Sequence, residues 1–186
     1  MSQMAAYGWP AGGAGAEVGG SGLVLVARAM LSGAAALTLD QVFTPRFQHY
    51  LMHVSGYTSA TATEIRMRLR RQGADAVGAT DYAGSNWSQQ YASAAATPFR
   101  EVTTSSYWSL RRFNNTAGVF STRRIELFNP ALPTFTFQAW HGSDAESYQN
   151  DGGGKHIQSV AYDGFTIYPA SGEFDHIVCR VYGYQL

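Results

Sequence analysis

Apolar and polar residues alternate with period two along most of this chain. Ile65, Met67 and Leu69 alternate strictly with Arg66, Arg68 and Arg70. Leu23, Leu25 and Ala27 alternate with Val24, Val26 and Arg28, and Leu37 and Leu39 with Thr38 and Asp40. Ile125 and Leu127 alternate with Arg124 and Glu126, and Phe135, Phe137 and Ala139 with Thr134, Thr136 and Gln138. Phe165 and Ile167 follow an Asp163-Gly164 turn, and Ile177, Cys179 and Val181 close the chain. Alternation over short runs, punctuated by Gly, Pro, Asn and Asp, predicts half-buried strands. With a further strand at 47–54 there are about eight, which predicts an all-β antiparallel sandwich of jelly-roll type over residues 23–186. No segment has the pattern of a long amphipathic helix. Short helical turns are expected around 81–95, where Ala and Gln gather.

The first 22 residues break the pattern. They hold seven Gly and five Ala with one charge, Glu17, too few side chains to build a core. Tyr7, Trp9 and Pro10 form an aromatic cluster inside this strip. The segment 1–22 is expected to be an attachment arm that lays those rings on a neighbour.

Composition narrows the class. The chain is 186 residues long, 45% hydrophobic and only 14% charged, which is not the signature of a disordered chain. Formal net charge is zero, so no global field draws it to nucleic acid or to an anionic membrane. No run approaches the roughly eighteen apolar residues of a membrane helix. A single cysteine, Cys179, excludes an internal disulfide and any thiolate zinc cluster within one chain. The start lacks a basic stretch followed by an apolar block, so no secretory signal is expected. Charge is uneven: residues 46–124 carry ten arginines against four acids, and 125–186 carry two cations against seven acids. Twelve of the thirteen cations are Arg, which suits interface contacts.

Catalytic motifs are sparse. Gly13, Gly15 and Gly19 have the wrong spacing for a dinucleotide loop, and no strand precedes them. His49 and His53 lie four apart, but Tyr50 stands where a zinc protease needs Glu, so solvent-facing strand histidines are expected and no metal. Asp144, Glu146, Asn150 and Asp151 gather oxygen ligands in a segment that runs into Gly152-Gly153-Gly154, without the spacing of a calcium loop. The same acids could serve a glycosidase only if the fold set them across a sugar. Arg66, Arg68 and Arg70 could present a cationic stripe to an anion or a partner, or be one solvated strand face. Trp87, Tyr107, Trp108, Trp140, His141 and Tyr148 are candidates for stacking on sugars. No catalytic residue and no cofactor is expected.

The last sixty residues carry a more specific signal. Arg124-Ile-Glu-Leu-Phe-Asn-Pro130 is followed by a Phe/Thr strand, a Gly-rich segment, Tyr162-Asp-Gly-Phe-Thr-Ile-Tyr168, Ser171-Gly-Glu-Phe174 and Arg180-Val-Tyr-Gly183. This series resembles the closing hairpin of small jelly-roll structural proteins of tailed bacteriophages and gene transfer agents, of fibre, receptor-binding or head-decoration type. The Leu23–Met30 strand after a loose leader resembles that family too. His176 or its neighbours stand where a second glycine is usual, and Tyr184 replaces the usual Leu after Gly183.

The resemblance implies a virion structural protein, made in the host cytoplasm, anchored to other virion proteins by its arm and assembled with copies of itself, commonly as a trimer. A host surface glycan is the expected ligand of a receptor-binding member. A decoration protein without host ligand is the alternative, and a jelly-roll glycan-degrading enzyme the second. Neither nucleic acid nor membrane is an expected partner.

Overall fold

The computed structural model describes residues 22–61, 63–90, 99–144 and 148–185. Tyr7, Trp9, Pro10 and Glu146 lie outside them. Among the described residues all regular structure is strand, in two antiparallel sheets. The elements are β1 (Gly22–Leu31), β2 (Leu37–Leu39), β3 (His49–Thr58), β4 (Glu64–Arg71), β5 (Ala74–Asp75), β6 (Tyr82–Gln90) and β7 (Phe99–Ser105). They continue as β8 (Trp108–Arg112), β9 (Ser121–Phe128), β10 (Thr136–Ser143), β11 (Tyr148–His156), β12 (Gly164–Pro169) and β13 (Phe174–Gln185). The described residues thus hold thirteen strands where eight were expected; the additional ones are β6, β7 and β11 in the larger sheet and the short β5 and β8 in the smaller.

The larger sheet runs β1-β13-β3-β9-β10-β11-β6-β7; the smaller runs β2-β12-β4-β5, with β8 also paired to β4. One core lies between them. Met52, Val54, Ile125, Leu127, Cys179 and Val181 of the larger sheet meet Ile65, Met67, Leu69, Trp108, Leu110, Phe165 and Ile167 of the smaller. Burying one such aliphatic or aromatic side chain is worth roughly 1.5–3 kcal/mol, so this list dominates the stability of the fold.

Three expectations are corrected. The stretch from Tyr82 to Gln90 is strand β6, not helical turns, because Tyr82, Asn86 and Ser88 are buried at strand spacing. The closing segments do not form a hairpin. β12 pairs with β2 and β4 in the smaller sheet, β13 with β1 and β3 in the larger, and the turn through Gly172 (φ +71°) carries the chain between sheets. Finally, β10 buries Thr136, Gln138 and Trp140 and leaves Phe137 exposed, the reverse of the face suggested by its phenylalanines. A strand of period two cannot bury both Phe137 and Trp140, and the larger ring takes the core.

Candidate functional site: the outer face of the eight-stranded sheet

The pairing register aligns one residue from each successive strand into a lateral row. It reads Arg28, Arg180, His53, Arg124, His141, Asp151 and Trp87, on β1, β13, β3, β9, β10, β11 and β6. Their strand neighbours Cys179, Val181, Met52, Val54, Ile125 and Trp140 are buried, so the row stands on the face turned away from the core. Strands lie about 4.8 Å apart, which puts His141 roughly 14 Å from Arg180 along the row. A second row beside it consists of hydroxyls: Ser55, Thr122 and Ser143 are successive cross-strand partners. The two rows line a hollow of about 350 Å³.

On the other side of the cation row the face becomes bare. Ala139, Gly153 and Ser85 are cross-strand partners there, and two adjoining hollows of about 490 and 610 Å³ share Ser85 and Gly153. Trp87 and Asp151 bound one hollow, and Phe137, Val102 and Lys155 the other. Phe137 is 44% exposed and Val102 71%, so apolar surface faces solvent around a floor of main chain. At the junction of row and hollow, His141 Nδ1 lies 2.6 Å from Asp151 Oδ1.

The cations differ in how they are held. Arg124 donates from Nη2 to Glu126 Oε1 at 2.7 Å, and this bond raises its pKa further. Arg28 and Arg180 make no hydrogen bond or ion pair among the described residues. His53 packs edge-on to Tyr182, centroids 6.0 Å apart. His49, four residues earlier on the same face of β3, is edge-on to Phe128 at 5.1 Å.

The arginine stripe foreseen at Arg66, Arg68 and Arg70 is on the opposite side of the molecule, and its charges have partners inside the chain. Arg66 donates to Glu64 at 2.8 Å and lies 4.2 Å over the Tyr107 ring. Arg68 donates to the Ser106 carbonyl at 3.0 Å and lies over Tyr168 at 4.9 Å. Arg70 Nε meets Asp40 at 2.7 Å and its Nη1 meets Asp75 at 2.5 Å. These contacts make the stripe a seam of the smaller sheet, tying β4 to the segments on either side.

Of the rings proposed for stacking, Trp87 and His141 fall on the outer face in the row itself. Trp108 and Trp140 are corrections: at 2% and 4% exposure they are core, and no ligand reaches them. Tyr107 is half-buried beneath Arg66 on the far sheet, and Tyr148 half-buried where β11 begins. Of the oxygen-rich segment, Asn150 and Asp151 lie inside β11 together with Gly152–Gly154, while Asp144 follows β10. Strand alternation separates its members. Asn150 turns inward to accept from Ser88 at 2.6 Å, while Asp151 turns outward to His141. Asp144 accepts the Tyr148 N–H at 3.0 Å. Among the described residues no three His, Cys, Asp or Glu gather as metal ligands.

Arg28, His53, Arg124, Arg180, Phe137 and Lys155 were not singled out as a site from sequence. They are scattered over six strands, and only the register unites them; the exposed Phe137 opposite a tryptophan-bearing face of the same strand was the one local sign. Comparison of the chain with family models, with curated proteins and with solved structures gives no match.

Proposed function

We propose that this chain is a bacteriophage virion structural protein, displayed on the particle as a fibre, receptor-binding or decoration module and anchored by its N-terminal segment. The sandwich is, in this reading, an elaborated jelly roll that assembles with copies of itself, as a trimer, and acts without catalysis. Support for the roll comes from chain order, since β1, β2, β3, β4, β6, β8, β9, β12 and β13 repeatedly change sheets.

The observation that carries the display reading is the outer face of the larger sheet. Its row of unlike functional groups and its ring-walled hollow sit on paired strands, where a recognition surface is held more rigidly than on loops. The motif series of residues 124–183 supplies the virion setting. The glycan-degrading alternative draws less support, because Asp144 accepts the Tyr148 N–H and Asp151 pairs with His141, while Glu146 lies outside the described residues. The decoration alternative draws on a specific feature: Leu23, Leu25 and Met30 of edge strand β1 are 48%, 54% and 59% exposed and could cover a neighbouring subunit.

Removal of residues 1–21 tests the anchor. The truncated chain is expected to fold with an unchanged β-type circular dichroism spectrum and to be missing from particles purified by density gradient. Incorporation at the full-length level would remove the anchoring role.

A further inference from the structure

We propose that the outer face of the eight-stranded sheet binds an acidic polysaccharide, carboxylates lying along Arg180, His53 and Arg124 and sugar rings seated in the two adjoining hollows, one beside Trp87 and one beside Phe137. The inference deepens the display reading and rests on it for its setting, while the chemistry stands on the sheet itself.

Like charges directly opposite one another weaken a sheet. Yet Arg28 faces Arg180 across the β1–β13 ladder, and His53 separates Arg180 from Arg124 by a single strand. Several arginines elsewhere in this chain are tied to carboxylates or carbonyls, Arg66 to Glu64, Arg70 to Asp40 and Asp75, and Arg123 to four main-chain oxygens, whereas Arg71 and Arg112 at the ends of β4 and β8 are not, among the described residues. Arg28 and Arg180 have no such partner among the described residues, so their charge is available to an outside anion.

The groups around the row select the kind of anion. Ser55, Thr122 and Ser143 offer neutral donors and acceptors beside the cations. Asp151 sits at the end of the row and Glu126 beside Arg124. Acids within a binding row repel a densely charged phosphate backbone, but they accept hydrogen bonds from hydroxyls. A ligand with sparse acid groups and many hydroxyls satisfies both, and a uronic-acid polymer is such a ligand. The zero net charge of the chain likewise supplies none of the general attraction on which nucleic-acid binding depends. The floor at Gly153, with Ala139 and Ser85 on either side, is flat and free of large side chains, so one pyranose can lie against it beside Trp87 and another beside Phe137.

The test is affinity electrophoresis of the full chain through gels holding polygalacturonate, its methyl ester or dextran, with binding to double-stranded DNA measured at the same ionic strength. Polygalacturonate is expected to retard the protein, and the ester and dextran to do so far less. The double variant Arg124→Gln/Arg180→Gln should weaken retardation about tenfold, and Trp87→Ala several-fold, with melting temperatures near the parent's. Absence of retardation by polygalacturonate overturns the proposal. So does an undiminished effect in the folded double variant, or DNA binding as tight as that of polygalacturonate. The assay uses isolated protein, so its failure removes the ligand and leaves the virion assignment intact. Absence of the protein from particles would do the opposite.

Discussion

Arg123 on β9 reaches across the core and donates from Nε to the Leu110 carbonyl on β8 at 2.7 Å, joining the two sheets. Its other nitrogens donate to the carbonyls of Arg112, Thr122 and Ser143 at 2.7, 2.7 and 3.0 Å. The rings of Phe113 and Trp140 stand 5.2 and 5.4 Å from the guanidinium carbon. Burial, only partly offset by Asp144, brings its pKa down to about 10, so it is still charged at neutral pH.

Arg123→Met would keep the stem and leave the carbonyls of Leu110, Arg112 and Ser143 without this donor. A loss of about 3–5 kcal/mol is expected in urea unfolding, with Arg123→Lys intermediate. Gly142→Ala should be similarly harmful. A Cβ at Gly142 would lie 2.0 Å from the Thr122 carbonyl and 2.7 Å from Arg123 Cδ, so the pin and the glycine require each other. A fully stable Gly142→Ala chain would contradict this packing.

The opposite sheet offers a contrast. Arg70 is held between Asp40 and Asp75, with its side chain only 14% exposed. Arg70→Gln is expected to destabilise by about 1–3 kcal/mol and to leave retardation by polygalacturonate unchanged. Arg180→Gln should show the reverse behaviour. Equal effects of both variants on retardation would mean that charge anywhere on the surface suffices.

Strand content was legible because Ile65/Met67/Leu69 and Ile125/Leu127 carry clean alternation, and each of those residues is wholly buried. Where the alternation conflicts with itself, the sequence misleads. The phenylalanines of 134–139 outvote Trp140 in a local count, but packing weighs ring size and the space left by Gly152. The Arg66/Arg68/Arg70 stripe was visible for the same reason it is structural, since one strand displays it whole. The outer-face row was invisible for the complementary reason. Each member is a single polar residue on its own strand, and the neighbours of Arg124 are fixed by pairing between segments far apart in the chain.

His156 gives the fold an acid-sensitive limb. It is wholly buried, edge-on to Tyr82 at 4.4 Å, with the Tyr162 hydroxyl 3.1 Å from Nδ1. Burial holds its pKa below the ordinary 6.5, with Asp81 opposing. As pH falls through that value the unfolded chain takes up a proton that the folded ring resists. Stability is therefore present above about 6.5 and declines below it. Urea midpoints should fall between about pH 7.5 and about pH 5, and fall less in His156→Gln. Identical pH dependence in parent and variant would assign the limb to other groups.

At the alkaline end, burial pushes the Tyr162 hydroxyl and the Cys179 thiol each up to about 12. These acids ionise first in the unfolded chain, so their contribution is present at neutral pH and is lost as pH climbs from their ordinary values of 10.0 and 9.0 toward about 12. Arg123 acts in the other direction over part of that window, because its depressed pKa favours the folded chain above about 10. Tyr162→Phe should therefore melt at a temperature less dependent on pH than the parent between about 10 and about 12. An unaltered slope would show that Tyr162 ionises as readily in the fold as out of it.

The display reading is tested most directly by immunogold labelling of purified particles with an antibody raised against the β-sandwich. Gold at a regular place on intact particles, at a tail tip or over the head surface, is the result expected. Particles free of gold and of the protein, with all of it left in the unassembled fraction of the lysate, would contradict the account.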